Sequence, residues 1–233
     1  GYTNVDACET AKEECFAVNA EAVKNIAQAC RDGNVPMIHY STDYVFDGNA
    51  NHPYAEEDPC NPINTYGASK LAGEHHLKRL TDNFILIRTA WLYGAKGKNF
   101  VSAILDRARE TGKLTVVDDQ MGSPTCTRDL AAATELLVDK NARGIFHVTN
   151  RGCCTWYDFA RKILKEARME QVELSPMKTS ELQRAARRPA YSVLGMHKFV
   201  AATGKTMQPW QLAFSDYYSF IASRTCLSPP GTA

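Results

Sequence analysis

Phe84-Ile-Leu-Ile-Arg-Thr89 opens with four consecutive large apolar residues and no alternation, a pattern a strand carries when both of its faces are covered. Coverage of that kind belongs to a parallel sheet with helices on each side. A second apolar run, Val35 to Ser41, ends in hydroxyls, and a helix-length segment from about Asn61 to Leu80 separates the two. Strand, helix, strand with such connections predicts an α/β fold built on a doubly wound parallel sheet. Ligands of open sheets of this type bind beyond the carboxyl ends of the strands. Ser41, Thr42 and Asp43 fall at one such end; Ala90-Trp-Leu-Tyr-Gly94 and Lys96-Gly-Lys-Asn-Phe100 fall beyond the next.

The rest of the chain fits around this unit. Thr10 to Asp32 carries Phe16, Val18, Ala22, Val23, Ile26, Ala27 and Cys30 at mostly helical spacing, with Gly33 closing the helix. Asn61-Pro62 offers a cap and a first-turn proline for the next helix. Further helices are expected over Phe100–Arg109, from a Thr127 cap to Val138, from Thr155, and over Pro209–Ile221, with strands at Leu114–Val117 and Gly144–Val148. Residues 1–150 read as one unit with loop insertions, 151–227 as a smaller C-terminal region, and 228–233 as a disordered tail.

Composition narrows the function. The 233 residues have a formal net charge of +1 with the charges interspersed, which gives no footprint for nucleic acid or a membrane surface. Neither a membrane-length apolar run nor a signal peptide is present, so a cytoplasmic protein is expected. The eight cysteines form no Cys-x-x-Cys and meet no histidine at zinc spacing. They read as reduced thiols, and no metal site is expected.

Chemistry concentrates at Tyr66-Gly-Ala-Ser-Lys70. Four residues apart on a helix, Tyr66 and Lys70 share a face one turn from each other. A phenol ordinarily titrates near ~10, and a neighbouring ammonium favours its ionised form, so the pair suits proton transfer. Thr42 would share the substrate oxygen. The bland readings are a solvated strand-end hydroxyl at Thr42, a rim aromatic at Trp91, an ordinary turn at Asp118-Asp-Gln120, and surface charge at Arg187 and Arg188. Met121 and Trp156-Tyr157 read as packing residues.

With these residues in place the chain resembles the extended short-chain dehydrogenase/reductases that act on nucleotide sugars, and within them the dTDP-4-dehydrorhamnose reductases. The stretches that carry the resemblance are Tyr-Thr-Asn-Val-Asp from Tyr2, Ser-Thr-Asp-Tyr-Val-Phe-Asp-Gly from Ser41 and Asn-Pro-Ile-Asn-Thr-Tyr-Gly-Ala-Ser-Lys from Asn61. They continue with Arg-Thr-Ala-Trp-Leu-Tyr-Gly from Arg88, Val-Asp-Asp-Gln-Met-Gly-Ser-Pro-Thr from Val117 and Arg-Arg-Pro-Ala-Tyr-Ser from Arg187. The resemblance implies a Rossmann-type fold and transfer of hydride from NADPH or NADH to the C4 ketone of dTDP-4-dehydro-6-deoxy-L-mannose. It implies Tyr66 as proton donor, Lys70 on the nicotinamide ribose and depressing the Tyr66 pKa, and Thr42 on the same oxygen. It further implies Gly1, Tyr2 and Thr3 beside the cofactor, Asn19 bracing the site, and Asp43, Trp91, Gln120, Arg187 and Arg188 on the sugar nucleotide. The last two would form a pair of guanidiniums on a diphosphate. The partners implied are the small nucleotide-sugar substrate and, as an open alternative, a second copy in a homodimer.

Such enzymes begin with strands and a glycine-rich turn that nothing here matches. By this resemblance the chain is a fragment lacking roughly 60–70 residues, with Val35 to Ser41 left as an apolar edge prone to aggregation and with no activity of its own. Two further readings stay open. One is a noncatalytic NADP-binding homologue resembling the regulatory subunit of methionine adenosyltransferase, which Tyr66 and Lys70 argue against; the other is a ketoreductase of another dTDP-deoxysugar.

Overall fold

The structure is a computed structural model that describes residues 1–225. Its centre is a three-stranded parallel sheet in the order β1-β2-β7, formed by β1 (Met37–Thr42), β2 (Phe84–Thr89) and β7 (Gly144–His147). Every residue of β2 is buried, as its unalternating sequence requires. Successive side chains still point to opposite faces. Phe84 and Leu86 meet Val23, Ala27 and Leu77 on one side, whereas Ile85 and Ile87 meet Leu130, Ala133, Leu137 and Phe199 on the other.

The first face is covered by α4 (Thr65–Leu80) and by a long helix preceding β1. That helix comprises α2 (Lys12–Phe16), a π-helical turn at Ala17–Glu21, and α3 (Ala22–Asp32). A short α1 (Val5–Cys8) precedes it. Gly33 does not supply the left-handed stop. It keeps φ −84°, and Asn34 takes φ +52°. Asn34 N–H bonds the Arg31 carbonyl and Val35 N–H the Cys30 carbonyl, a Schellman closure that uses Val35-Pro36 as the turn and delays the strand to Met37. The second face is covered by α6 (Thr127–Asp139) and α8 (His197–Thr203). Thr127 is the first residue of its helix rather than the cap; Cys126 occupies the cap position without a side-chain bond.

A second apolar cluster lies beyond the strand ends. It joins α5 (Phe100–Thr111), β4 (Lys113–Val117), α7 (Trp156–Glu166) and α9 (Trp210–Thr225) around Phe159, Ile163 and Phe214, and so draws on residues from both sides of position 150. β4 pairs in parallel with β9 (Glu173–Met177). Four two-residue strands tie the loops in two pairs: β3 (Leu92–Tyr93) with β6 (Thr125–Cys126), and β5 (Met121–Gly122) with β8 (Cys154–Thr155). Thr155, where the helix is expected to begin, instead caps α7 through a reciprocal box with Asp158, and the helix starts at Trp156.

β1 is an edge of its sheet, with Ile38 and Tyr40 each 42% exposed. No helix among the described residues is long and apolar enough to cross a membrane. The described cysteines are free thiols, of which Cys153 is exposed. The expected disordered tail and Cys226 lie outside the described residues.

Candidate active site

The carboxyl ends of β1 and β2 meet the first turn of α4. Asn64, not Asn61, caps that helix: its Oδ1 accepts from Gly67 N–H at 2.8 Å while its Nδ2 donates to the Arg187 carbonyl at 2.8 Å. Glu9 adds a carboxylate at the positive end, accepting from the Thr65 amide and hydroxyl, each at 2.8 Å. Gly67 lets the turn approach β1. A Cβ there would stand 2.1 Å from the Tyr44 carbonyl oxygen, so only glycine brings Tyr66 this close to the strand end.

Thr42 ends β1 and accepts from Tyr44 N–H at 3.2 Å, while its hydroxyl donates to Asp43 Oδ1 at 3.0 Å. The Thr42 hydroxyl also faces that of Tyr66. Burial pushes the Tyr66 phenol up to about 12, against the lowering effect of that contact. The ammonium of Lys70 was expected to depress it. Lys70 instead donates to the Tyr40 carbonyl at 2.6 Å, and its own burial lowers its pKa. Desolvation therefore governs the pair here. Asp43 is 3% exposed, and burial raises its carboxyl to about 6, although the Ser192 and Thr42 hydroxyls oppose the shift.

Asn19 sits in the π-helical turn, a distortion often found at functional sites. Its Oδ1 accepts from Tyr2 N–H, and its Nδ2 donates to the Tyr2 carbonyl, both at 2.9 Å, and to Ser69 Oγ at 3.0 Å. One side chain thus ties the N-terminal segment to α4. Beyond β2 the chain turns sharply at Trp91, φ +47°, and lays the indole on Trp156 with ring centroids 3.4 Å apart and planes within 7°. Gly122 makes room, since a Cβ there would stand 2.4 Å from the Trp91 ring.

Two adjoining cavities open here. The first, about 400 Å³, is lined by Thr3, Thr42, Asp43, Tyr66, Thr89 and Trp91 among others. The second, about 360 Å³, is lined by Gln120, Phe100, Val117, Met177, Arg184 and Arg188 among others, and Tyr44 and Trp156 border both. The sequence-based candidates divide accordingly. Thr42, Asp43, Tyr66, Trp91 and Thr3 share the first cavity, and Gln120 and Arg188 the second; Gly1, Tyr2, Lys70 and Arg187 line neither. Lys70 is buried behind Tyr66, whereas Arg187 is exposed and offers only its backbone to Asn64.

The expected Arg187–Arg188 pair is therefore split. Arg188 is held fork to fork by Asp6, with Nη1–Oδ1 2.6 Å and Nη2–Oδ2 2.8 Å, and this contact keeps the Asp6 carboxyl well below the usual range. The second guanidinium at the cavity is Arg184, 3.2 Å from the same carboxylate. Gln120 donates to Thr179 Oγ1 at 3.0 Å. Sequence reasoning missed Tyr44, Trp156 and Arg184. Trp156 was legible only as a packing residue, and nothing in the order of residues says that its ring meets Trp91.

Residues 1–222 match the family described as RmlD substrate binding domain. The dTDP-4-dehydrorhamnose reductase of Escherichia coli K12 is 36% identical over 236 residues, 97% of this chain and 79% of that protein. The dTDP-4-keto-6-deoxy-D-glucose reductase of Streptomyces niveus is 37% identical over 94% of this chain and 77% of its own length. Among solved structures, the dTDP-4-dehydrorhamnose reductase of Bacillus anthracis in complex with NADP superposes with a TM-score of 0.92 at 36% identity, covering 94% of this chain and 78% of that one.

Proposed function

The chain belongs to the dTDP-4-dehydrorhamnose reductase family, and on that premise we propose that it serves the reduction of the C4 ketone of dTDP-4-dehydro-6-deoxy-L-mannose to dTDP-L-rhamnose. The observation that carries this reading is the meeting of Thr42, Asp43 and a neutral Tyr66 phenol on one cavity, with a buried ammonium one helical turn behind.

NADPH, when bound, supplies the hydride. The residues present suit its nicotinamide end. The Lys70 ammonium spends one of three N–H donors on the Tyr40 carbonyl, and the remaining two with the Tyr66 hydroxyl suit a ribose diol. Tyr2, pinned by Asn19, and Thr3 at the cavity wall border the same end, next to Gly1.

The chain's own residues manage the oxygen. Reduction places negative charge on it, and Tyr66, with its proton held to about pH 12, is the acid that neutralises it. Thr42, turning its one hydroxyl hydrogen from Asp43 to the substrate, donates a second hydrogen bond to the same oxygen, and its burial strengthens that bond. Asp43 accepts from a sugar hydroxyl, and the Trp91–Trp156 stack walls the ring. Arg188, with Arg184 in place of Arg187, serves the diphosphate, and Gln120 the nucleotide end.

The substrate sugar has a second reading. The 37% identical Streptomyces niveus enzyme carries the name of a different 4-ketosugar reductase, so the same machinery serves a neighbouring deoxysugar equally well. The test is NADPH oxidation with each dTDP-4-ketosugar, on the protein as the cell makes it and on Tyr66→Phe. A loss of about 10²–10⁴-fold in kcat is expected of the variant. A folded, NADPH-binding protein that turns over neither sugar would sink the proposal in favour of a noncatalytic homologue.

A further inference from the structure

Thr89 ends β2 and is Cα partner to Thr42, the last residue of β1, so the two side chains stand on the same face of the sheet. Both are buried and both line the first cavity. They differ in their bonds. Thr42 is engaged by Asp43, Tyr44 and Tyr66, whereas the Thr89 Oγ1 is buried with no hydrogen-bond partner. Desolvating a hydroxyl without a partner is unfavourable, and such a group on a cavity wall awaits a ligand atom. A second orphan, Asp43 Oδ2, lies on the same wall.

From this placement we propose that Thr89 is a substrate-contacting residue whose hydroxyl binds the sugar oxygen on the carbon beside the ketone. The proposal rests on the reading of Thr42 and Tyr66 as the groups that hold the ketone oxygen. Adjacent strands lie about 4.8 Å apart, and two oxygens on neighbouring ring carbons, each at a hydrogen-bond length of about 2.8 Å, bridge such a pair of hydroxyls. Thr42 takes the reacting oxygen and Thr89 its neighbour. The site thereby selects 4-ketosugars that keep the vicinal hydroxyl, because a site built for a hydroxyl rejects an analogue that leaves its buried polar group unpaired.

The test compares wild type, Thr89→Val and Thr89→Ser on the ordinary sugar nucleotide and on its analogue deoxygenated beside the ketone, with NADPH binding and thermal unfolding measured in parallel. Thr89→Val should raise KM for the ordinary substrate about 3- to 10-fold, leave NADPH affinity unchanged, and gain nothing from the vicinal hydroxyl; Thr89→Ser should restore it. Unliganded Thr89→Val should melt no lower than wild type, since it removes a hydroxyl that has no partner. A lower melting temperature would show a structural bond and overturn the assignment. Weaker NADPH binding with an unchanged sugar KM would overturn it in favour of the cofactor. If wild type turns over the substrate and discriminates the analogue as strongly as Thr89→Val does, the assignment fails alone. If wild type turns over no 4-ketosugar, the assignment and the reductase reading fall together.

Discussion

Glu74 offers the sharpest test of how the site is held. It lies on α4 one turn beyond Lys70 and two beyond Tyr66, and it meets Arg88, the neighbour of Thr89 on β2. Arg88 Nε and Nη2 reach its two carboxylate oxygens at 3.0 and 2.7 Å, and Ser41 Oγ donates to it at 2.5 Å. The side chains are 2% and 0% exposed. This cluster bolts α4 to the two strands whose ends carry Thr42 and Thr89. Around Arg88 the remaining contacts are weaker: the Glu56 carbonyl and His147 Nε2 at 3.4 Å, Cys60 Sγ at 3.2 Å, and the Phe46 ring at 5.2 Å. Burial holds His147 down at about 3, so it brings no second positive charge.

Glu74→Gln removes the charge that compensates a guanidinium with no access to water. Breaking a buried pair by deleting one partner costs about 3–5 kcal/mol, far above the ~0–1 kcal/mol of a surface pair such as Arg109–Asp106. For a chain of this length each kcal/mol lowers Tm by about 2–4 °C, so a fall of roughly 6–20 °C is expected. The compensating double variant Glu74→Leu, Arg88→Met removes both charges at once. It should recover most of that loss and could exceed wild type, because desolvating two ions costs more than replacing them with apolar groups of similar volume. Differential scanning calorimetry with urea titration reads both quantities. A Glu74→Gln loss below about 1 kcal/mol, or a double variant no better than the single, would refute the account of a dry ion pair.

Two other perturbations probe the same assembly. Gly67→Ala places a methyl 2.1 Å from the Tyr44 carbonyl, so α4 must retreat from β1; kcat should fall by about 10²-fold or more, and an active variant of unchanged kcat would show that the close approach is not needed. Asp43 titrates at about 6 folded against 3.8 unfolded, so the native state holds the extra proton and this carboxyl lowers stability as pH rises from below 4 to above 6. Asp43→Asn should remove that slope and be more stable than wild type at pH 8 by up to about 3 kcal/mol while binding sugar nucleotide more weakly; equal urea midpoints for the two proteins at pH 8 would count against it.

What the sequence discloses here is set by the range of the interactions involved. Unalternating burial in Phe84–Thr89 and a helix-length crossover are properties of contiguous residues, and they suffice for a parallel β1-β2 pair and for the placing of Tyr66 near Thr42. Cap identity needs one step more. Asn61-Pro-Ile-Asn64 contains two candidates, and the choice of Asn64 depends on its Nδ2 finding the Arg187 carbonyl 123 residues away. Arg88 shows where local reading stops. Within its own strand it looks like a polar residue at a strand end, and only the fold across the crossover reveals that it faces Glu74 and that the next residue, Thr89, therefore points the other way, into the cavity. A distant partner decides the arginines of the last stretch: Asp6 draws Arg188 inward and leaves Arg187 in water, so two adjacent guanidiniums that look equivalent in the sequence meet opposite environments. On the proposed reading, a diphosphate at the second cavity must compete for Arg188 with Asp6, the carboxylate that closes the Tyr-Thr-Asn-Val-Asp stretch and whose partner, 182 residues away, that stretch does not disclose.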